Sequence, residues 1–170
     1  MLNESFRVVP GRLLPALLVA ATIFAGCGGS GAGEQAQTVN GHGFRFDAPA
    51  GWKVQRSGRL VSASKDGDLV QVVTFSLLKP YDPALFGRVE RELHMRMQEV
   101  AAQSGGTVSG SSTVTAGGIR SHSYQVTAGD HLDEYTFVLQ GKREFQLLCR
   151  RAKSSDAGAC DRLVTSFAPA

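Results

Sequence analysis

No stretch of this 170-residue chain supplies the ~20 consecutive apolar residues that a permanent membrane-spanning helix needs. The longest apolar run, Leu13 to Ala25, is about a dozen residues and contains Pro15. Cysteine is scarce at three residues, tryptophan at one and histidine at four, which leaves few ligands for a metal centre. Charge of one sign is also lacking. The formal net charge is +3, and one unit of it belongs to the first 26 residues through Arg7, Arg12 and Glu4. The +2 that remains is too mild for a nucleic-acid surface, and there is no basic stripe and no internal repeat. The chain has no G-x-S-x-G elbow, and Gly41-His42-Gly43 precedes a strand rather than a helix, so it is not a phosphate loop.

The short apolar run carries a different message. It ends in Phe24-Ala25-Gly26-Cys27, after which the composition turns to Gly, Ser and Ala. A basic n-region, a core of this length and small residues before a cysteine resemble a bacterial lipoprotein signal with its lipobox. Phe24 stands where that pattern prefers Leu but is still large and apolar. The resemblance implies removal of residues 1–26, a thioether-linked diacylglycerol (palmitate-type lipid) on Cys27, and a cell-membrane location on the extracytoplasmic face. The alternatives are an ordinary secretory signal with a chance cysteine, and an uncleaved membrane helix. Residues 27–37 read as the lipid-anchored flexible tether, since Gly28 to Gln37 hold no large apolar side chain. Residues 38–170 form one domain by length.

With Cys27 lipidated, Cys149 and Cys160 remain. An even remainder in an oxidising compartment points to a disulfide. Two free thiols are the alternative. A metal pair is disfavoured because no His lies near either cysteine in sequence.

Along the domain, Phe44 to Phe46, Trp52 to Gln55, Arg59 to Ser64 and Leu69 to Leu78 have strand character. The Ala48-Pro49-Ala50-Gly51 segment reads as a turn, and Lys65-Asp66-Gly67-Asp68 as a hairpin connection. The Val-rich segment Leu69 to Leu78 has apolar residues on both faces, which predicts a central strand covered on both sides. Trp52, following two strand-spaced phenylalanines, is expected in the core. Asp82-Pro83 opens a helix that Gly105-Gly106 ends. Its apolar stripe is Leu85, Val89, Leu93, Met97 and Val100. His94 with Met95 and Met97 carries no metal reading, because methionine at helical spacing is core filler. Thr107 to Thr115 is β-prone but polar and suits a sheet edge. Ile119 to Thr127 and Leu132 to Gln140 form a hairpin about Gly129-Asp130, whose register sets Tyr124 opposite Tyr135, His122 opposite Phe137 and Val126 opposite Asp133. Glu144 to Arg150 alternates, with Phe145, Leu147 and Cys149 facing one way. Asp156 caps a last helix with Cys160, Leu163, Val164 and Phe167 inward.

These elements predict an α+β fold with a mainly antiparallel sheet, one long mid-chain helix and a C-terminal helix; the family resemblance that follows implies their arrangement as an α/β/α sandwich. The elements Phe44-x-Phe46-x-x-Pro49-x-Gly51-Trp52, Gly117-Gly118-Ile119 and Ser166-Phe167, with the long helix after a Val-rich strand, resemble the PsbP-like family, which includes the LpqN lipoproteins of actinobacteria. The resemblance spans most of residues 40 to 168. It implies binding and assembly rather than catalysis and brings no catalytic residues and no cofactor. The expected function is therefore a non-catalytic envelope domain binding a protein partner or a small apolar ligand, with an envelope hydrolase as the alternative. Asp130, Asp133 and Glu134 could hold Ca²⁺ only weakly and read as a solvated hairpin tip. Arg143, Arg150, Arg151 and Lys153 suggest a basic edge near the disulfide.

Overall fold

The computed structural model describes residues 35–170. In chain order the strands are β1 (Ala36–Gly41), β2 (Phe44–Pro49), β3 (Lys53–Ser57), β4 (Leu60–Lys65) and β5 (Asp68–Ser76). A single 3-10 turn, Pro83–Leu85, leads into helix α1 (Phe86–Gln103). There follow β6 (Thr107–Ala116), β7 (Ile119–Ala128), β8 (His131–Gln140), β9 (Arg143–Ala152), helix α2 (Gly158–Ser166) and β10 (Ala168–Pro169). The fold is mixed α+β, with every strand pair antiparallel.

Seven strands make one sheet in the order β3-β4-β5-β9-β8-β7-β6, and β1, β2 and β10 make a second. The topology explains the connection through α1. After β5 the chain must pass the places later filled by β9, β8 and β7 before starting β6, which is four interstrand spacings of ~4.8 Å. Residues 77–85 make that lateral passage beside the β8–β9 turn, and the 18-residue α1, ~27 Å at ~1.5 Å per residue, runs back along β6 and β7 to the end of the sheet where β6 starts. Three hairpins joining β6 to β9 then bring the chain back until β9 closes on β5, pairing Val70 with Cys149 and Val72 with Leu147. The Asp66-Gly67 turn between β4 and β5 has positive φ at both residues (52° and 97°), as a type I′ hairpin turn requires.

The large sheet separates two cores. On one face Val61, Ala63, Val70, Val72, Val138, Phe145 and Leu147 meet Phe44 and Phe46 of β2 and Leu163 of α2. Phe44, Phe145 and Phe167 stack or meet edge to face at centroid distances of 5.3–6.2 Å. On the other face Leu93, Met97 and Ala101 of α1 cover Tyr124, Val126, Tyr135 and Phe137. The observed register of β7 on β8 sets Tyr124 against Tyr135, His122 against Phe137 and Val126 against Asp133, as expected.

Four expectations need correction. The central strand is β9, not β5, because β9 arrives last and inserts between β5 and β8. Only one face of β5 is fully covered: Val70, Val72 and Thr74 are buried, Leu69, Gln71 and Val73 half-buried, and Phe75 exposed, since α1 lies over β6 and β7 rather than β5. Strand β1 begins at Ala36, two residues inside the expected tether, and pairs along the whole of β2. Trp52 packs against the first core but is only half-buried, because it sits in the turn before β3.

Candidate functional site

Of the residues singled out by chemistry, Cys27 lies outside the described residues. Cys149 and Cys160 form a disulfide, with Cα atoms 5.3 Å apart. Cys149 ends the buried row of the central strand and Cys160 lies in the first turn of α2, so the bond fastens that helix to the middle of the sheet. Both residues are buried.

The acidic hairpin residues do not converge. Asp133 and Glu134 are neighbours on a strand, so their side chains leave opposite faces of the sheet. Asp133 is buried and held by a bidentate guanidinium: Arg150 Nε donates to Oδ1 at 2.7 Å and Nη2 to Oδ2 at 2.6 Å. That pairing also raises the Arg150 pKa further above its ordinary value. On the other face Glu134 meets Arg151 at 3.5 Å, and Asp130 meets His131 at the turn. The expected basic edge is therefore not one. Arg150 and Arg151 are spent on carboxylates of the central hairpin, and Arg143, at the far end of β9, donates to the Ala170 carbonyl.

The histidines are likewise dispersed. His42 lies in the β1–β2 turn, and His94 contacts Gln98 on the exposed side of α1. His122 is buried, with its ring 3.7 Å from that of Phe86 between centroids and Nε2 3.2 Å from the Phe86 carbonyl. Burial is the largest influence on it and lowers its pKa, against the Phe86 carbonyl and Glu90, which raise it. Arg120 caps the stack with its guanidinium 4.0 Å from the Phe86 ring centroid. No three His, Cys, Asp or Glu side chains among the described residues group as metal ligands.

What the fold assembles instead is an apolar cleft. Residues 77–82 loop over the N-terminal part of α1, tied down by Leu77 N–H to the Lys142 carbonyl (2.9 Å) and Tyr81 N–H to the Gly141 carbonyl (2.7 Å). Asp82 then caps the 3-10 turn through Oδ1 and the Ala84 amide, and Pro83 takes the first helical position. Between loop, helix and sheet lies a cleft of about 730 Å³ lined by Leu77, Leu78, Leu85, Val89, Leu93 and Leu139. An Arg96–Glu144 ion pair of 3.2 Å stands on its wall. Three of the large exposed apolar residues gather here. Leu78 is 99% exposed, Leu85 is exposed on the wall, and Phe75 is the cross-strand neighbour of Glu144. Through Tyr81 and Leu139 the cleft adjoins a smaller hollow of about 330 Å³ between Phe86, Ile119 and Arg120. The Tyr81 hydroxyl is buried without a hydrogen-bond partner among the described residues, and burial raises its pKa. No sequence motif marks this cleft, because its walls come from segments some sixty residues apart.

Comparison with protein-family models and with curated proteins finds no match. Solved structures do match. One is a protein from Bacteroides thetaiotaomicron VPI-5482, at 10% identity and TM-score 0.57, covering 80% of this chain. The match takes in 48% of that protein, so this chain spans about half its length. The other is the solution structure of cyanobacterial PsbP (CyanoP) from Synechocystis sp. PCC 6803, at 15% identity and TM-score 0.60, covering 86% of this chain and 99% of that one. At such identities the likeness is one of architecture, and the described domain has a PsbP-like fold.

Proposed function

We propose that this chain is a lipoprotein, anchored through Cys27 on the extracytoplasmic face of the cell membrane, whose LpqN-type domain binds a protein partner and is not a catalyst. The carrying observation is the cleft under residues 77–82. Large apolar side chains are left in solvent where three elements meet, and a cluster of this kind marks an interaction site. Its openness suits an apolar side chain or segment of another protein better than an enclosed small ligand. Asp133 and His122, the buried acid and the buried imidazole, are engaged away from the cleft, by Arg150 and by the Phe86 ring and carbonyl; of the carboxylates on its wall, Asp82 caps the 3-10 turn and Glu92 and Glu144 pair with Arg88 and Arg96. The disulfide fits an oxidising compartment.

Two substitutions separate the parts of this reading. Cys27→Ser should abolish acyl labelling and membrane retention while the domain still folds. Leu78→Asp should leave anchoring and folding unchanged and abolish partner capture, since a fully exposed side chain contributes nothing to the core. Unchanged acyl labelling of Cys27→Ser would sink the anchor. Partner capture undiminished by Leu78→Asp would sink the cleft. Displacement of a solvent-extractable apolar molecule by that variant would transfer the site to a small ligand.

A further inference from the structure

The large sheet has two edges, and they differ in how they are protected. Edge strand β3 is five residues long and carries Lys53 and Arg56, charges that oppose pairing with another copy of itself. Edge strand β6 is ten residues long, TVSGSSTVTA, and has no charged residue and no proline. Its one protective device is a register shift between Val108 and Gly110, which leaves Gly110 to Ala116 in regular register with β7. A neutral β-prone edge of that length presents a row of backbone donors and acceptors to a further strand.

A second observation falls at the same place. Beside Ser111, near the middle of β6, Glu90, Arg91, His94 and Met95 of α1 frame a hollow of about 400 Å³ floored by Tyr124. Met95 is 58% exposed, off the buried stripe of its helix. An acid and a base stand next to each other on the rim, and neither forms an ion pair among the described residues.

We infer that β6 is a self-association edge, pairing antiparallel with β6 of a second copy about a two-fold axis near Ser111 and Ser112. Such an axis, normal to the sheet, keeps both α1 helices on the same face and brings them together antiparallel. Met95 of each copy then meets the hollow of the other, and Arg91 of each lies toward Glu90 of the other. Isologous pairing requires a self-complementary surface. A neutral strand flanked by one acid and one base meets that requirement, whereas a foreign strand would have to match it separately.

The test uses the full-length protein in a large excess of mild detergent, with mass measured by sedimentation and amide exchange followed over residues 107–116. Wild type should be a concentration-dependent dimer with protected β6 amides. Thr113→Lys, at an exposed position, should weaken association roughly tenfold or more by placing like charges near the axis, and Met95→Asp should weaken it independently. Gln55→Lys on β3 should leave the dimer intact, and circular dichroism should show all three variants folded. A monomer at every accessible concentration, a dimer indifferent to both Thr113→Lys and Met95→Asp, or protection of β6 only when another protein is bound would each overturn the inference.

Discussion

His122 shows how one buried side chain makes stability depend on pH. Burial holds its folded pKa below the ordinary ~6.5. As pH falls, the unfolded chain therefore takes up the proton first. The stabilisation associated with the neutral ring is complete above about pH 6.5 and declines as pH falls through that value toward the lowered folded pKa. His122→Phe keeps a ring against Phe86 and removes the titration. Its melting temperature should drop less than that of wild type between about pH 7.5 and pH 5.5. An equal drop in both proteins would place the pH dependence elsewhere. Tyr81 offers the complementary case. A buried hydroxyl with no partner costs ~1–3 kcal/mol relative to one that is satisfied. Tyr81→Phe removes that polar atom and keeps the ring, so chemical denaturation should find it neutral or stabilised by up to ~1 kcal/mol. A clear loss of stability would mean that the hydroxyl has a partner.

Among the elements, α2 depends most on a covalent tie. It is nine residues long, shorter than an isolated helix can sustain in water. Its inward face is Cys160 and Leu163, with Phe167 following, and the disulfide fixes its first turn to β9. A loop of this length contributes ~3 kcal/mol on the chain-entropy account. Replacing both cysteines by alanine should lower unfolding stability by about that amount and loosen α2 before the sheet. Hydrogen exchange that rises uniformly over α2, β9 and β5 would contradict that order. The elements were legible in sequence to differing degrees. Asp66-Gly67 and Gly129-Asp130 announced hairpins because their backbone conformations are specific, and the β7–β8 register followed from turn length. Strand β1 was hidden, since Val39 is its one buried apolar residue. The two-residue β10 is too short to carry any period. The central position of β9 was hidden for another reason: its pairing with β5 joins residues some seventy positions apart, and local pattern does not encode that choice.

At the scale of the whole molecule, a helix that covers only β6 and β7 of its face of the sheet leaves apolar residues beside its own N-terminal part. The antiparallel sheet with its two helices could be read from the order of strands and helices, and the sandwich followed from the family resemblance. The cleft could not, because Leu78, Leu85 and Leu139 each have an ordinary local explanation and become a site only when the loop, helix and sheet are assembled. Trp52, the residue that sequence most singled out for the core, proves half-buried in a turn, while the fully exposed Leu78 had read as the end of a strand. Assembled, loop, helix and sheet offer a partner protein an apolar place to dock. The most direct measurement of that docking is photo-crosslinking in intact cells, with a photoreactive residue replacing Leu78 and, as control, Gln55 on the far edge strand. A docked partner should give one discrete protein adduct at position 78, lost when Leu85→Asp is added, and none at position 55. Adducts that are the same at both positions, or that survive Leu85→Asp, would contradict docking there.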